Sequence, residues 1–102
     1  MPKDKAIVPE VRPEREIVAE IMAGLKLSGY MAWHTHDTRN HPTTKGMPDI
    51  MAVKDGRLLA VEVKRQRGRI RADQLTFLAI LKAHETPAII AYSWEDVAKV
   101  IW

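Results

Sequence analysis

Two acidic residues, Asp49 and Glu62, face each other across a predicted hairpin in this sequence. The two largely apolar segments that contain them flank Asp55-Gly56, a dipeptide that favours a two-residue type I′ turn and thereby fixes the register of the strands. In that register Asp49 lies directly opposite Glu62. Opposed side chains have Cβ atoms roughly 4.5–5.5 Å apart, and like charges at that distance repel each other.

This acidic pair predicts a metal site. Ionised carboxylates among apolar neighbours are costly, and a divalent cation such as Mg²⁺, which prefers oxygen ligands, offsets both the repulsion and the desolvation. Lys64 lies two residues beyond Glu62, so the two-residue period of a strand puts both on one face. A simple ion pair on a strand would explain Glu62 and Lys64 alone. The opposed Asp49 favours the metal site instead.

Composition limits the class of protein. The 102 residues suffice for one domain, and 46% hydrophobic with 28% charged residues is ordinary for a globular chain. The sequence has no cysteine, which excludes disulfides and thiolate-zinc sites and fits the reducing cytoplasm. It has no apolar stretch of the roughly 18 residues that span a membrane, and no apolar segment typical of a secretory signal near its start. A net charge of +3 and a pI near 9.4 favour a polyanionic partner.

The pattern along the chain predicts an α/β domain over residues 13–102, preceded by a flexible N-terminal arm over residues 1–12. The predicted elements are a helix from Pro13 to Leu27, ended by Gly29, a strand over 30–36, a polar loop over 37–48, the hairpin over 49–64, a basic loop over 65–71, a helix over 72–84, a strand over 88–92, and a helix over 94–102 with Ser93 as N-cap. The order is α-β-β-β-α-β-α. Because the hairpin strands are apolar on both faces, we expect a mixed central sheet flanked by helices.

A resemblance to a known family emerges from four motifs in this order. Gly46-Met-Pro-Asp49, a hairpin and then Glu62-Val-Lys64 resemble the signature of the PD-(D/E)XK nucleases. With Glu14 on the first helix and Gln74 opening the second, the chain resembles more narrowly the VRR-NUC family of that superfamily, over about residues 14–93. The chain departs from the family pattern in one respect: its second predicted helix lacks a Ser or Thr N-cap.

The resemblance implies a restriction-endonuclease-like fold and a Mg²⁺- or Mn²⁺-dependent endonuclease. The metal would be held by Asp49, Glu62 and the backbone carbonyl of Val63, where it would neutralise phosphate charge and acidify a bound water. Lys64 would orient the attacking water or stabilise the pentavalent phosphate. Gln74 would hold the water that Lys64 or the metal positions.

Glu14 would contact a metal through water, although Glu16 and Glu20 are competing acids on the same helix. The alternative for Glu14 is an acid that stabilises the positive end of the helix dipole.

Beside a phosphodiesterase site, the basic residues Arg65, Arg67, Arg69 and Arg71 are expected to clamp the nucleic-acid backbone, with Arg39 and Lys45 as further phosphate contacts. A solvated basic loop is the structural alternative. The polar run of His34, Thr35, His36 and Asp37, followed by His41, suggests zinc. His34 and His36 share a strand face, but no third ligand has convincing spacing, and surface or DNA-contacting roles are favoured over zinc and over packing.

Small stand-alone members of the family resemble phage homodimers that cut branched DNA, notably four-way (Holliday) junctions. We therefore expect a homodimeric, cytoplasmic enzyme of a bacterial or phage-infected cell. A stripe of apolar residues from Trp94 to Trp102 on the last helix fits core packing or a subunit interface. The alternatives are a non-catalytic nucleic-acid-binding module on the same fold and a nuclease acting on flaps or plain duplex. A site-specific restriction enzyme would need a base-reading element, for which the chain is short.

Overall fold

The structure, a computed structural model, describes residues 12–35 and 44–102. Its elements are α1 (Glu14–Leu27), β1 (Met31–His34), β2 (Ile50–Lys54), β3 (Arg57–Val63), α2 (Ala72–Ala83), β4 (Ala88–Ala91) and α3 (Trp94–Ile101). This is the predicted order α-β-β-β-α-β-α. The arm predicted over residues 1–12 lies outside the described residues except for Arg12, and so do Arg39, His36 and His41.

The four strands form one mixed sheet in the order β1-β2-β3-β4. The first three strands are antiparallel, and β4 is parallel to β3. The predicted hairpin register is confirmed, since Lys54 lies opposite Arg57 and Ile50 opposite Val61. Asp55 and Gly56 both have positive φ, 52° and 79°, as a type I′ turn requires.

Helices cover both faces of the sheet, as its apolar strands require. On one face, α1 and α3 enclose the larger core, which includes Ile17, Ile21, Leu25, Ile50, Ala52, Leu59, Val61, Val63 and Val97. On the other face, α2 packs through Leu78 against Met51, Ala60 and Ala88. The result is the predicted restriction-endonuclease-like α/β arrangement, with a mixed sheet flanked by helices.

Two contacts show how α1 and α2 run relative to the sheet. The Lys54 ammonium, beside the hairpin turn, donates a hydrogen bond of 2.7 Å to the carbonyl of Ser28 at the C-terminal end of α1. At the opposite end of the sheet, Gln74 in the first turn of α2 donates to Glu62. Both helices therefore direct their N-termini, which have partial positive charge, towards the end of the sheet where β2 begins and β3 ends.

The N-terminus of α3 differs in detail from the prediction. Ser93 is the N-cap residue, but its side chain makes no capping hydrogen bond. The backbone N–H of Trp94 donates instead to Glu20 Oε1 on α1, at 3.0 Å. A carboxylate from a neighbouring helix thus replaces the local serine cap, which local spacing in the sequence does not reveal.

The tryptophan stripe of α3 belongs mainly to the core. Trp94 packs on α1 at Gly24, where an added β-carbon would clash with the indole ring, and Val97 is fully buried. Trp102, in contrast, is 85% exposed. Among the described residues, no helix is long and apolar enough to cross a membrane.

Candidate metal and nucleic-acid site

Asp49 is positioned by both of its neighbouring strands. On one side, the backbone N–H of Thr35 donates to the Asp49 carbonyl at 3.0 Å, and the buried Thr35 hydroxyl donates to the carbonyl of Pro48. On the other side, Asp49 Oδ2 accepts a hydrogen bond of 2.7 Å from the backbone N–H of Val63. Asp49 is 8% exposed, and its carboxylate is fixed beside the peptide that follows Glu62.

Glu62 is the most deeply buried charged residue of the site, at 1% exposure. Its Oε2 accepts a hydrogen bond of 2.7 Å from the Gln74 amide, and the Lys64 ammonium lies 3.6 Å from the same oxygen. The Lys64 side chain is itself only 8% exposed. The structure thus brings Asp49, Glu62, Lys64 and Gln74 together, as the sequence predicts.

Gln74 joins the site to the start of α2. Its Oε1 accepts a hydrogen bond of 2.9 Å from the backbone N–H of Arg71, the N-cap residue. That bond performs the task of the Glu or Gln in a capping box, and it explains how α2 begins without a Ser or Thr at its N-cap. Its amide nitrogen meanwhile donates to Glu62, so Gln74 fixes the Glu62 carboxylate directly.

Gly46 explains why the loop before Asp49 can approach α2. Its φ is +83°, and an added β-carbon would lie 2.6 Å from the carbonyl carbon of Asp73 and 3.1 Å from the backbone nitrogen of Gln74. Glycine meets both requirements, because it has no β-carbon and adopts positive φ without strain. The loop before Asp49 therefore rests on the turn of α2 that supplies Gln74.

The donor set suits a hard divalent cation. Two carboxylates and a backbone carbonyl are oxygen ligands of the kind that Mg²⁺ and Mn²⁺ prefer. The residues that would hold such an ion are Asp49, Glu62 and the carbonyl of Val63. Within residues 12–35 and 44–102, no group of three or more His, Cys, Asp or Glu side chains could hold a metal. His34, exposed on β1, accordingly joins no zinc cluster there.

The acids of α1 differ in their surroundings. Glu20 accepts from the Trp94 backbone and pairs with Arg12 at 3.3 Å, while Glu16 lies 3.9 Å from Arg12. These contacts engage the two competitors of Glu14 with partners other than the site residues. Glu14 is in the first turn of α1, whose N-terminus points to the site, but it forms no three-acid cluster with Asp49 and Glu62. Its role stays a prediction.

The basic loop over residues 65–71 follows Lys64 and has its arginines on the surface. Arg65, Arg67, Arg69 and Arg71 are all exposed. The loop begins with a turn in which the Gly68 N–H donates to the Arg65 carbonyl at 2.8 Å, and Arg67 occupies a left-handed conformation with φ of 71°.

Two of the predicted phosphate contacts lie beside α2. The Arg71 guanidinium donates to Asp73 at 3.1 Å, and this bond holds the pKa of Asp73 below its ordinary value. Lys45, exposed, lines a shallow groove of about 460 Å³ with Asp73, Phe77 and Ile80.

Sequence reasoning missed Thr35 as a positioning residue. At the end of the strand predicted over 30–36, it was expected at the surface or in contact with DNA together with the neighbouring histidines, yet it is 3% exposed and holds Pro48-Asp49 in place. The signal would have been the pairing of β1 with β2, because that register brings Thr35 beside Asp49. No local spacing predicts this pairing.

Comparison with protein families supports the resemblance. A family model described as the VRR-NUC domain matches residues 7–95, most of the chain and all of the site residues described above. No curated protein and no solved structure matches the chain.

Proposed function

The chain belongs to the VRR-NUC family, and from that premise we propose that it is a metal-dependent endonuclease that hydrolyses phosphodiester bonds in DNA. The observation that supports the proposal most is the pair of buried carboxylates, Asp49 and Glu62, fixed beside the buried Lys64. A protein that only binds DNA gains nothing from such a pair, because carboxylates repel phosphate. In a nuclease, the same pair is the ligand set for the catalytic ion.

The residues of the site have distinct tasks in this proposal. Asp49, Glu62 and the Val63 carbonyl would hold a Mg²⁺ or Mn²⁺ ion, which would supply charge neutralisation and lower the pKa of water. Lys64 directs its ammonium at the attacked phosphate, where it stabilises negative charge that develops in the transition state. Gln74 holds Glu62 in one orientation through its 2.7 Å hydrogen bond, so the ligand does not rearrange when the ion binds.

The surroundings of the site favour a polyanion. The N-termini of α1 and α2 point to it, and helix N-termini attract phosphate through free N–H groups and the helix dipole. The exposed arginines at 65, 67, 69 and 71 begin one residue beyond Lys64. These contacts provide affinity for the backbone that depends on salt and is independent of base sequence.

We further propose that the substrate is branched DNA, with the four-way junction as the first candidate, and that the enzyme acts as a homodimer. A two-fold dimer presents two sites to a two-fold symmetric junction. Trp94 does not provide the interface, because it packs inside the subunit. Leu27 and Trp102, which are 90% and 85% exposed, are candidates for the dimer interface. Both line a groove beside Lys54, at the end of the sheet remote from the metal site.

The test is cleavage of a labelled four-way junction and of a linear duplex with the same sequence, each with Mg²⁺, Mn²⁺ or EDTA. We expect paired nicks in the junction with either metal, little cutting of the duplex, and none in EDTA. Light scattering at micromolar protein should give the mass of a dimer. Equal cutting of both substrates by a monomer would contradict the branched-DNA proposal alone. Tight binding without any cutting would instead indicate a non-catalytic module.

A further inference from the structure

A further groove lies on the face of the sheet that α1 covers. It has a volume of about 370 Å³ and is lined by Arg12, Ile17, Gln66 and Tyr92. Ile17 is buried, whereas Tyr92 is 47% exposed and Gln66 is also exposed. The volume is within the range of roughly 300–1,000 Å³ that is typical of small-molecule sites. It can admit one unstacked heterocyclic ring but not a duplex.

The chain connects this groove directly to the catalytic residues. Gln66 is two residues beyond Lys64. Tyr92 follows Ala91, whose carbonyl accepts the backbone N–H of Lys64 at 2.9 Å. The backbone N–H of Tyr92 is in turn held by Asp96 Oδ2 at 2.8 Å, so its position at the end of β4 is fixed. Two of the groove residues are therefore fixed close along the backbone to Lys64.

The charges around the groove favour a neutral ligand over a phosphate. Arg12 is the cation of the lining, but Glu20 lies 3.3 Å and Glu16 3.9 Å from its guanidinium, so its charge is offset locally. Phosphate contacts fall instead to the exposed arginines of the neighbouring loop. What the groove offers is an apolar floor, an exposed aromatic ring and a side-chain amide. These groups suit a nucleobase, which stacks on the ring and hydrogen-bonds to the amide.

We propose that this groove receives an unpaired base of the DNA, stacked on Tyr92 and contacted by Gln66, next to the phosphodiester that the metal site attacks. The inference rests on the proposed nuclease function and makes its substrate more specific. The preferred DNA has an unpaired nucleotide at the point of branching, because a base held in a duplex cannot enter the groove.

The experiment combines a change in the protein with a change in the DNA. Fluorescence anisotropy in EDTA measures the affinity for a branched DNA with unpaired thymidines at the branch point and for the same DNA with abasic residues there. The proteins are the wild type, Tyr92→Ala, Tyr92→Phe and Gln66→Ala. Leu58→Ala is the control, since Leu58 is 37% exposed and lies near the hairpin turn, at the far end of the sheet.

The wild type should bind the thymidine branch about 5- to 150-fold more tightly than the abasic branch, the worth of one base–aromatic stack. Tyr92→Ala should remove most of that difference, while Tyr92→Phe and Leu58→Ala should keep it. Gln66→Ala should reduce it by about 2- to 10-fold, the worth of one hydrogen bond. A folding defect would weaken the binding of both DNAs equally. The ratio of the two affinities therefore reports the base contact alone.

Two results would overturn the inference: no preference of the wild type for the thymidine branch, or an undiminished preference in Tyr92→Ala. The proposed nuclease function is decided separately, by adding Mn²⁺ to the same wild-type complexes. Base-dependent binding without cleavage would contradict the proposed nuclease function and support the base site. Cleavage with no dependence of binding on the base would support the nuclease function and contradict the base site.

Discussion

Replacing Gly46 with alanine tests whether the loop before Asp49 is positioned by the first turn of α2. The added methyl group would face the backbone of α2, 2.6 Å from the carbonyl carbon of Asp73. Gly56 provides a matched control, because its φ of +79° is close to the +83° of Gly46, while nothing lies within 4 Å of its added β-carbon. Alanine at either position has the same backbone strain, and only alanine at Gly46 has the clash.

The expected magnitudes follow from this comparison. A left-handed conformation costs an L-residue roughly 1–2 kcal/mol, which is the whole cost for Gly56→Ala. Gly46→Ala adds the cost of overpacking against backbone, about 1–3 kcal/mol, so its total is about 2–5 kcal/mol. A domain of this size has about 5–15 kcal/mol of stability. Over all but the lower limit of that range, the Gly46 variant remains folded at 25 °C.

Urea unfolding followed by tryptophan fluorescence gives the two changes in the free energy of unfolding. Gly46→Ala should also weaken Mn²⁺ binding, because a shift of α2 moves Gln74 away from Glu62, and Gly56→Ala should leave Mn²⁺ binding unchanged. Equal destabilisation by the two substitutions, with Mn²⁺ affinity intact in both, would refute the positioning of the loop by α2.

Substitutions at three further residues give separate tests. Lys64→Ala should lower the cleavage rate by about 100-fold or more while DNA affinity in EDTA changes little, and a parallel collapse of binding would make Lys64 a phosphate clamp instead. Arg67→Gly and Arg67→Ala should weaken DNA binding equally and reduce the slope of log affinity against log salt by about one. Only the glycine variant should gain stability, by about 1 kcal/mol, because Arg67 has a φ of 71°; an unchanged salt slope would place Arg67 away from the DNA. Glu85→Gly should raise the melting temperature, with a gain of about 1 kcal/mol, because Glu85, which follows the C-cap residue of α2, has a φ of 62°; an unchanged melting temperature would show that its carboxylate contributes as much as its strain costs.

The hairpin could be predicted because its information is local. Asp55-Gly56 fixes the turn, the turn fixes the register, and the register brings Asp49 and Glu62 together. The covering of both sheet faces followed in the same way from strands that are apolar on both sides. Gly29 was correctly expected to end α1, where it has a φ of +93°.

The features that could not be predicted from the sequence are contacts between elements that are distant along the chain. Glu20 caps α3 from α1, and Gly24 makes room for Trp94, yet neither has a local signature. The contact of Gly46 with α2 was hidden in the same way, although the motif that contains it was recognised. Local spacing predicts which face a residue occupies, whereas these partners depend on how whole elements pack.

The most direct test of the account is calorimetric titration of Mn²⁺ into the purified protein without DNA, since the central claim is that Asp49 and Glu62 hold the ion. The wild type should show saturable binding, Asp49→Asn and Glu62→Gln should lose it, and Leu58→Ala, changed at the other end of the sheet, should retain it. Far-ultraviolet circular dichroism confirms that each variant is folded. Unchanged Mn²⁺ affinity in a folded Asp49→Asn protein, or no binding by the wild type, would contradict the claim.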